Sequence, residues 1–437
     1  MARPPRRRPA RPAVRAAGAP RIVDVLIESV GARGDGIARL GEGTVFVGGT
    51  APGDRVRVRL DGRRGEGLAG TLVELLEAGP DRVEPLCRHF GDCGGCALQH
   101  LSAARHDAWK SDLLITALAR QGLPVDGVRP LASVPAGTRR RATFAFVRAG
   151  KGTIVGFNAR LSDRIVDVAE CPLLDPTLTA LLTPLRTVLA DVGTGLGGDV
   201  TVTRTEGGLD VLVQAEARLD IFDRERLAAF ADSSDLARLS WRRPGEEAEP
   251  LVCRRPAVVT MGGVAVEPPA GGFLQPSAEG ERLLAGLVVE AVGGAPRVAD
   301  LFAGCGSFTF PLAATAAVHA VEGDAAALGA LRAAAHRAGL KVTCEARDLA
   351  RRPLIGPELK AYDAVVFDPP RAGAAPQAQA LADAGPPLVV AVSCSPATLA
   401  RDAAILVAGG YALVAVTPVD QFPWSAHLEA VAVFRRR

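Results

Sequence analysis

The sequence predicts a multidomain α/β protein with three folded parts: an N-terminal OB-like β-barrel, a central α+β domain, and a C-terminal doubly wound, Rossmann-like domain. Three observations carry this. Short β-type segments crowd residues 21–79, closely spaced cysteines open a mixed region at 80–270, and within 271–437 apolar strands alternate with alanine-rich helices. With 437 residues, 48% of them hydrophobic, the chain can bury two or three cores.

Residues 1–20 hold Arg3, Arg6, Arg7, Arg8, Arg11 and Arg15 among prolines and alanines, without an acid or an apolar core. They read as a disordered basic arm. Its six charges exceed the formal net charge of +3, so the rest of the chain is slightly acidic. Such an arm attracts phosphate backbones without sequence preference; the alternative is a solubilising tail. No run of about 18 apolar residues occurs, so a membrane span is not expected. Eight cysteines without a secretion signal point to a reducing compartment, the cytoplasm.

In the first part, strands are expected at Ile22 to Val30, Val45 to Gly48, Asp54 to Leu60 and Thr71 to Glu77, with a glycine-rich turn after Val30. The alternation Val56-Arg57-Val58-Arg59-Leu60 fits a strand with one buried face. Several short strands in so few residues suggest a small barrel of a kind that often binds RNA.

The second part opens with Cys87-x5-Cys93-x2-Cys96 in a glycine-rich loop, continues with a helix over Ser102 to Gln121 that could pack on the C-terminal domain, and reaches Cys171-Pro172. Four thiolates suit zinc or a [4Fe-4S] cluster. Arg139, Arg140 and Arg141 could contact phosphates, with Phe144 and Phe146 as stacking faces; a solvated strand edge is the alternative. Cys253 and Cys344 read as core.

In the third part, strands are expected at Arg297 to Phe302, Val318 to Glu322, Lys341 to Arg347, Ala364 to Phe367, Leu388 to Ser393 and Val431 to Phe434. Asp300-Leu301-Phe302-Ala303-Gly304-Cys305-Gly306-Ser307 follows the first strand, and Glu322 ends the second, where a carboxylate can accept from ribose hydroxyls. An NAD site would want glycine where Thr309 stands, so the loop suits S-adenosylmethionine better. Asp368-Pro369-Pro370-Arg371 stiffens the loop after the fourth strand. Cys394 follows the fifth, on the same sheet edge.

A thiolate there could add to carbon 6 of a pyrimidine and make carbon 5 nucleophilic toward a sulfonium methyl. A base must then remove the carbon 5 proton, and Glu429 is the candidate, with His427 supporting or structural.

Together these motifs resemble the RNA uracil-5 methyltransferases, which make 5-methyluridine in ribosomal and transfer RNA. The resemblance spans nearly the whole chain from Arg21. It implies a TRAM domain, an iron-sulfur domain and a class I methyltransferase domain, in that order. It also implies Cys87, Cys93, Cys96 and Cys171 as [4Fe-4S] ligands. Gln275, Phe302, Ser307, Glu322, Asp348 and Asp368 would contact S-adenosylmethionine, with Cys394 as nucleophile and Glu429 as base. Serines replace the common asparagine at Ser307 and Ser395, and Ala303 stands where the loop often has cysteine.

The RNA expected as partner is 23S rRNA, because barrel, cluster domain and arm offer a long RNA-contacting surface; transfer RNA is the alternative. The target base would have to leave its stack. A monomer is expected. An RNA cytosine-5 methyltransferase would carry a second cysteine in the proline loop, where Asp368-Pro369-Pro370-Arg371 has none. A non-catalytic RNA-binding protein would not bind S-adenosylmethionine.

Overall fold

A computed structural model describes residues 21–41, 43–150, 152–193 and 197–437; the basic arm expected at 1–20 lies outside them. The chain divides into two units, Met1–Val83 and Glu84–Arg437.

In the first unit β1 (Ile22–Val30), β2 (Asp35–Leu40), β3 (Gly43–Gly48), β4 (Arg55–Arg64) and β5 (Gly67–Glu77) close into a barrel in the order β1-β2-β3-β5-β4. β3 and β5 run parallel and the other pairs antiparallel. Alternation sends Val25, Ile27, Val45, Val47, Val56 and Val58 inward, while Arg57 faces out to Asp24 at 3.0 Å and Glu74 at 2.5 Å. β2 is the strand that periodicity did not reveal, since Asp35 and Gly36 at its start read as turn residues.

The second unit begins with the cysteine loop, then α1 (Ala103–Arg120) and β6 (Ala132–Ser133). A seven-stranded sheet follows, built from β7 (Arg141–Ala149), β8 (Gly152–Asn158), β9 (Ile165–Asp167), then, after α2 (Pro176–Ala180) and α3 (Leu182–Asp191), β10 (Gly197–Thr205) and β11 (Gly208–Ala215), and, after α4 (Ile221–Ser233), β12 (Leu236–Arg242) and β13 (Glu249–Cys253). Its core holds Phe144 and Phe146, both essentially inaccessible, so neither is a stacking face for bases. Cys253 is exposed and Cys344 only half-buried, against the expectation of core positions.

A hairpin of β14 (Val259–Met261) and β15 (Val264–Val266) packs with Phe310 and Leu331 of the C-terminal layer. That layer runs α5 (Ala278–Val292), β16 (Arg297–Leu301), α6 (Thr309–Ala313), β17 (Ala317–Glu322), α7 (Ala325–Arg337), β18 (Val342–Ala346), α8 (Gly356–Leu359), β19 (Ala364–Phe367), α9 (Ala375–Ala384), β20 (Leu388–Ser393), α10 (Pro396–Ala408), β21 (Tyr411–Asp420) and β22 (Glu429–Arg436). The eight-stranded sheet has the order β18-β17-β16-β19-β20-β22-β21-β6. Chain direction away from β16 reverses there, which makes its C-terminal end the switch point where doubly wound sheets bind ligands.

The segment before the central sheet belongs with this layer. β6 pairs with β21, and Leu114 and Leu118 of α1 share a core with Leu399, Leu406 and Tyr411. Among the described residues no helix is long and apolar enough to cross a membrane.

Candidate active site

Strand register gathers the expected residues on one edge. Leu301 pairs with Phe367 and Val321, and Phe367 with Ala391, so Phe302, Glu322 and Asp368 each lie one step beyond a paired position. Ser393 pairs with Ala430 in the antiparallel step from β20 to β22, which sets Cys394 beside Glu429.

Phe302 leaves β16 with φ 62°, an uncommon conformation for a large side chain. It turns the chain into the loop through Gly304 and Gly306. Gly306 has φ 107°, and a Cβ there would come within 2.4 Å of the Phe310 ring. Glu322 spans the loop, accepting from the Gly304 amide at 2.8 Å and the Asp324 amide at 2.7 Å. Asp300 is fully buried and accepts from Thr309 Oγ1 at 2.5 Å, which explains a threonine where a dinucleotide site would need glycine. Its other oxygen, Oδ1, is buried without a partner. Burial, with Asp368 and Glu322 adding repulsion, pushes its carboxyl up to about 7. Asp348 is exposed and caps its own turn through the Ala350 amide at 3.1 Å; its Cα lies 3.8 Å from where a Cβ on Gly323 would sit.

Cys394 occupies the turn between β20 and α10, where Ser395 caps the helix and Ser393 Oγ accepts from the Ser395 amide at 3.2 Å. Burial and then the Glu429 and Asp368 carboxyls push the thiol up to about 11, opposed by the Arg371 charge. Glu429 is buried and is itself raised to about 7; the Gln421 amide and Arg371 pull the other way. Asp368 is raised well above the usual range by burial and by Glu429. Two enclosed carboxyls beside one thiol therefore favour a protonated resting site. Arg371 Nη2 lies 2.8 Å from His427 Nδ1. His427 is exposed, yet partial desolvation and then the charges of Arg371, Lys110 and Arg139 push its imidazole down to about 4.

A second network underlies the first. Gln275 is buried, and its Oε1 accepts from Gln421 Nε2 at 2.7 Å. Ser307 Oγ donates to Glu281 Oε1 at 2.5 Å, and Arg140 donates to Glu281 Oε2 at 3.1 Å. Arg140 is thus a buried partner, through Glu281, of the loop that carries Ser307, and Arg141 is fastened to the Gly271 carbonyl at 3.0 Å. Arg139 is largely enclosed too, donating to the Arg141 carbonyl at 3.0 Å with its guanidinium 6.0 Å from the Phe422 ring centroid. Arg140 braces the interior and is not available to phosphates, whereas Arg139 and Arg141 stay partly exposed while their guanidinium groups hold main-chain carbonyls. Glu281, Gln421 and Lys110 were missed. A signal existed: Glu281 shares its helix face with Leu284, Ala285 and Val288, and Lys110 shares one with His106, Leu114 and Leu118.

Cys87, Cys93, Cys96 and Cys171 are all free thiols, near enough for their charges to act on one another. Burial pushes Cys96 up to about 12, and Cys171, Cys93 and Cys87 add to the rise. Burial likewise raises Cys93 and Cys171, with Cys87 contributing to both. One backbone donor is aimed at a sulfur of the group: the Gly95 amide at Cys93 Sγ, 3.4 Å away. Such a donor favours the ionised form of the sulfur it faces. Yet among the described residues no group of three or more His, Cys, Asp or Glu side chains is arranged to hold a metal ion.

Comparison with known proteins places this geometry. Residues 21–73 match the TRAM domain family, and residues 264–437 match the tRNA (Uracil-5-)-methyltransferase family. An RNA methyltransferase of Brucella suis is 48% identical over 94% of this chain and 97% of its own length. The 23S rRNA (uracil(1939)-C(5))-methyltransferase of Alkalilimnicola ehrlichii is 36% identical over 94% of this chain and 96% of its own length. Among solved structures, the Pyrococcus abyssi tRNA (uracil-54, C5)-methyltransferase in complex with S-adenosyl-L-homocysteine covers 94% of this chain and 100% of its own, with a TM-score of 0.72 at 22% identity. The chain belongs to the RNA uracil-5 methyltransferase family.

Proposed function

We propose that the protein transfers a methyl group from S-adenosylmethionine to carbon 5 of a uridine in 23S rRNA, with Cys394 as nucleophile and Glu429 as base. The observation that carries the chemistry is the ladder step from Ser393 to Ala430, which puts thiol and carboxyl side by side. The A. ehrlichii relative, by its name, acts on 23S rRNA and resembles this chain over nearly its full length, which favours that substrate over transfer RNA.

The cofactor loop fits the methyl donor. Glu322 keeps lone pairs for ribose hydroxyls while bracing Gly304, and Gly304 itself faces open space. The orphaned Asp300 Oδ1 is a further buried acceptor beside the loop. Gln275, Phe302, Ser307, Asp348 and Asp368 complete the contacts. When bound, the cofactor supplies an electrophilic methyl group and a positive charge that lowers the pKa of neighbouring acids.

Cys394 must give up its proton before it can act, since its thiol is held high; Arg371 is the side chain placed to stabilise the thiolate. Sulfur bonds to carbon 6, the carbon 5–carbon 6 double bond becomes an enolate on the uracil, and carbon 5 takes the methyl group as its bond to the donor's sulfonium sulfur breaks and S-adenosylhomocysteine is left. Glu429 then accepts the carbon 5 proton, the double bond re-forms, and Cys394 leaves as a thiolate. The uridine is flipped from its stack to reach this edge.

Cys87, Cys93, Cys96 and Cys171 would hold a [4Fe-4S] cluster, joining the loop at 87–96 to Cys171. No step of the methyl transfer is assigned to it. The enzyme is expected to act in the cytoplasm as a monomer.

The deciding assay incubates the enzyme with labelled S-adenosylmethionine and unmodified transcripts of 23S rRNA and transfer RNA. Label in 23S rRNA supports the reading, and label in transfer RNA alone overturns the substrate while sparing the chemistry.

A further inference from the structure

Helix α1 turns Lys110 onto its buried face, and the side chain is fully enclosed. The ammonium donates to Asp420 Oδ1 at 2.8 Å, to the Phe422 carbonyl at 3.2 Å, and to the His427 carbonyl. An ammonium has three donors, and here all three go to one short segment. For packing alone an apolar residue would serve α1 better, because a buried charge is costly even when paired.

A second tie reaches the same segment. Trp424 has φ 58°, and its carbonyl accepts from the Ala97 amide at 2.8 Å and the Leu98 amide at 3.1 Å. Its own amide donates to His106 Nε2 at 3.3 Å, one turn before Lys110 on α1. The segment so held carries His427, whose ring meets Arg371, and runs directly into Glu429 at the start of β22.

We infer that Lys110 is a positioning residue for methyl transfer: its three hydrogen bonds fix 420–427 so that Arg371 and Glu429 stand beside Cys394. The inference rests on the reading of Glu429 as base. Lys110 touches no reacting atom, and its effect travels through the His427 main chain to the imidazole and Arg371. Replacing it with methionine keeps the stem but takes the donor from the His427 carbonyl and leaves the Asp420 carboxylate and the Phe422 carbonyl hydrogen-bonded only within the segment, to the Phe422 amide and to Ser425, so this tie from α1 to 420–427 is lost and the segment can shift. Displacements of about 1 Å near a reacting centre cost on the order of 100-fold in rate.

The test uses the full-length enzyme, labelled S-adenosylmethionine and an unmodified 23S rRNA transcript, with variants Lys110→Met, Lys110→Arg, Leu114→Ala and Glu429→Gln. Leu114 lies on the same helix and packs in the core that also holds Leu428, but its side chain has no polar group to bond the segment. Lys110→Met should lower kcat by about 100-fold while the cofactor Kd and the RNA KM stay within about two-fold. It should also accumulate the covalent RNA adduct, and Lys110→Arg should recover at least about ten-fold of the lost rate. Leu114→Ala should lower the melting temperature without that split. The inference is overturned if Lys110→Met retains normal kcat, or if both helix variants lose rate in proportion to lost stability. An adduct in Glu429→Gln alone, with full turnover in Lys110→Met, removes Lys110 and keeps the base; no adduct in Glu429→Gln removes both.

Discussion

The edge of the C-terminal sheet and the cysteine loop both bring together residues far apart in sequence, by different means. At the edge, parallel and antiparallel ladders fix Phe302, Asp368 and Cys394 one step beyond a paired, buried position and hold Glu322 and Glu429 within the ladders themselves. The loop from Cys87 to Cys96 has turns and few ladder bonds: an isolated bridge from Cys93 to Ala159, the Gly94 amide on the Asn158 carbonyl at 2.9 Å, and the Cys87 amide on Gln99 at 3.0 Å. A scaffold made of backbone holds its geometry when one side chain is changed. A scaffold made of side chains depends on each of them, and on whatever they bind.

That contrast can be broken from either side. The largest effect is expected at the edge, for chemistry alone. Cys394→Ala should reduce methylation by at least about 10⁴-fold, comparable to loss of other covalent nucleophiles, with S-adenosylmethionine binding by calorimetry unchanged. Retained turnover would remove Cys394 as nucleophile.

In the loop, each of Cys87→Ser, Cys93→Ser, Cys96→Ser and Cys171→Ser should abolish the brown colour, with broad absorbance near about 400 nm, expected of anaerobically purified protein. Solubility and melting temperature should fall with it, because metal binding and folding are coupled. Colourless protein carrying one zinc per chain would contradict the cluster.

A smaller, graded effect is expected from pH. Asp300, Asp368 and Glu429 all have carboxyls raised by burial, so folding favours their protonated forms. Their contribution to stability is complete below the ordinary carboxylate range and is lost as pH rises through about 7, the value that Asp300 and Glu429 reach. The ligand-free melting temperature should therefore fall between about pH 5 and about pH 8, and Glu429→Gln should flatten the slope. A rise over the same range would contradict the assignment. Turnover should run the other way, increasing through about 7, since Glu429 must be ionised to take a proton.

The smallest effect concerns the support of Gln275. A Cβ on Gly280 would lie 2.3 Å from Gln421 Oε1 and 3.0 Å from its Cβ. Gly280→Ala should dislodge the Gln421 amide from Gln275 and weaken cofactor binding by roughly ten-fold, about 1.4 kcal/mol. The melting temperature should hold, because alanine improves the helix. Unchanged calorimetric affinity would show that Gln275 needs no such support.

These two regions also divide what was legible in the sequence. β19 and β20 were bounded correctly because continuous apolar runs ending in Asp368 and Cys394 are strong signals. β21 was not seen: Thr417, Pro418 and Asp420 interrupt its apolar pattern, and its pairing partners are distant. Arg140 misled because charge in sequence suggests a surface, whereas Glu281 and the Gln275 carbonyl accept from its side chain in the interior. The ties from Lys110 to 420–427 could not be read at all, since they join residues about 310 positions apart and depend on how α1 docks.

The most direct test of the central claim, that Cys394 and Glu429 are partners in addition and elimination, is the Glu429→Gln enzyme incubated with S-adenosylmethionine and an unmodified 23S rRNA transcript, resolved on a denaturing gel. With addition intact and elimination slowed, a shifted protein–RNA band should accumulate, and its digest should yield the peptide containing Cys394 bound to a methylated uridine. Absence of the band, with Cys394 still reactive toward a thiol reagent, would contradict the pairing and place the base elsewhere.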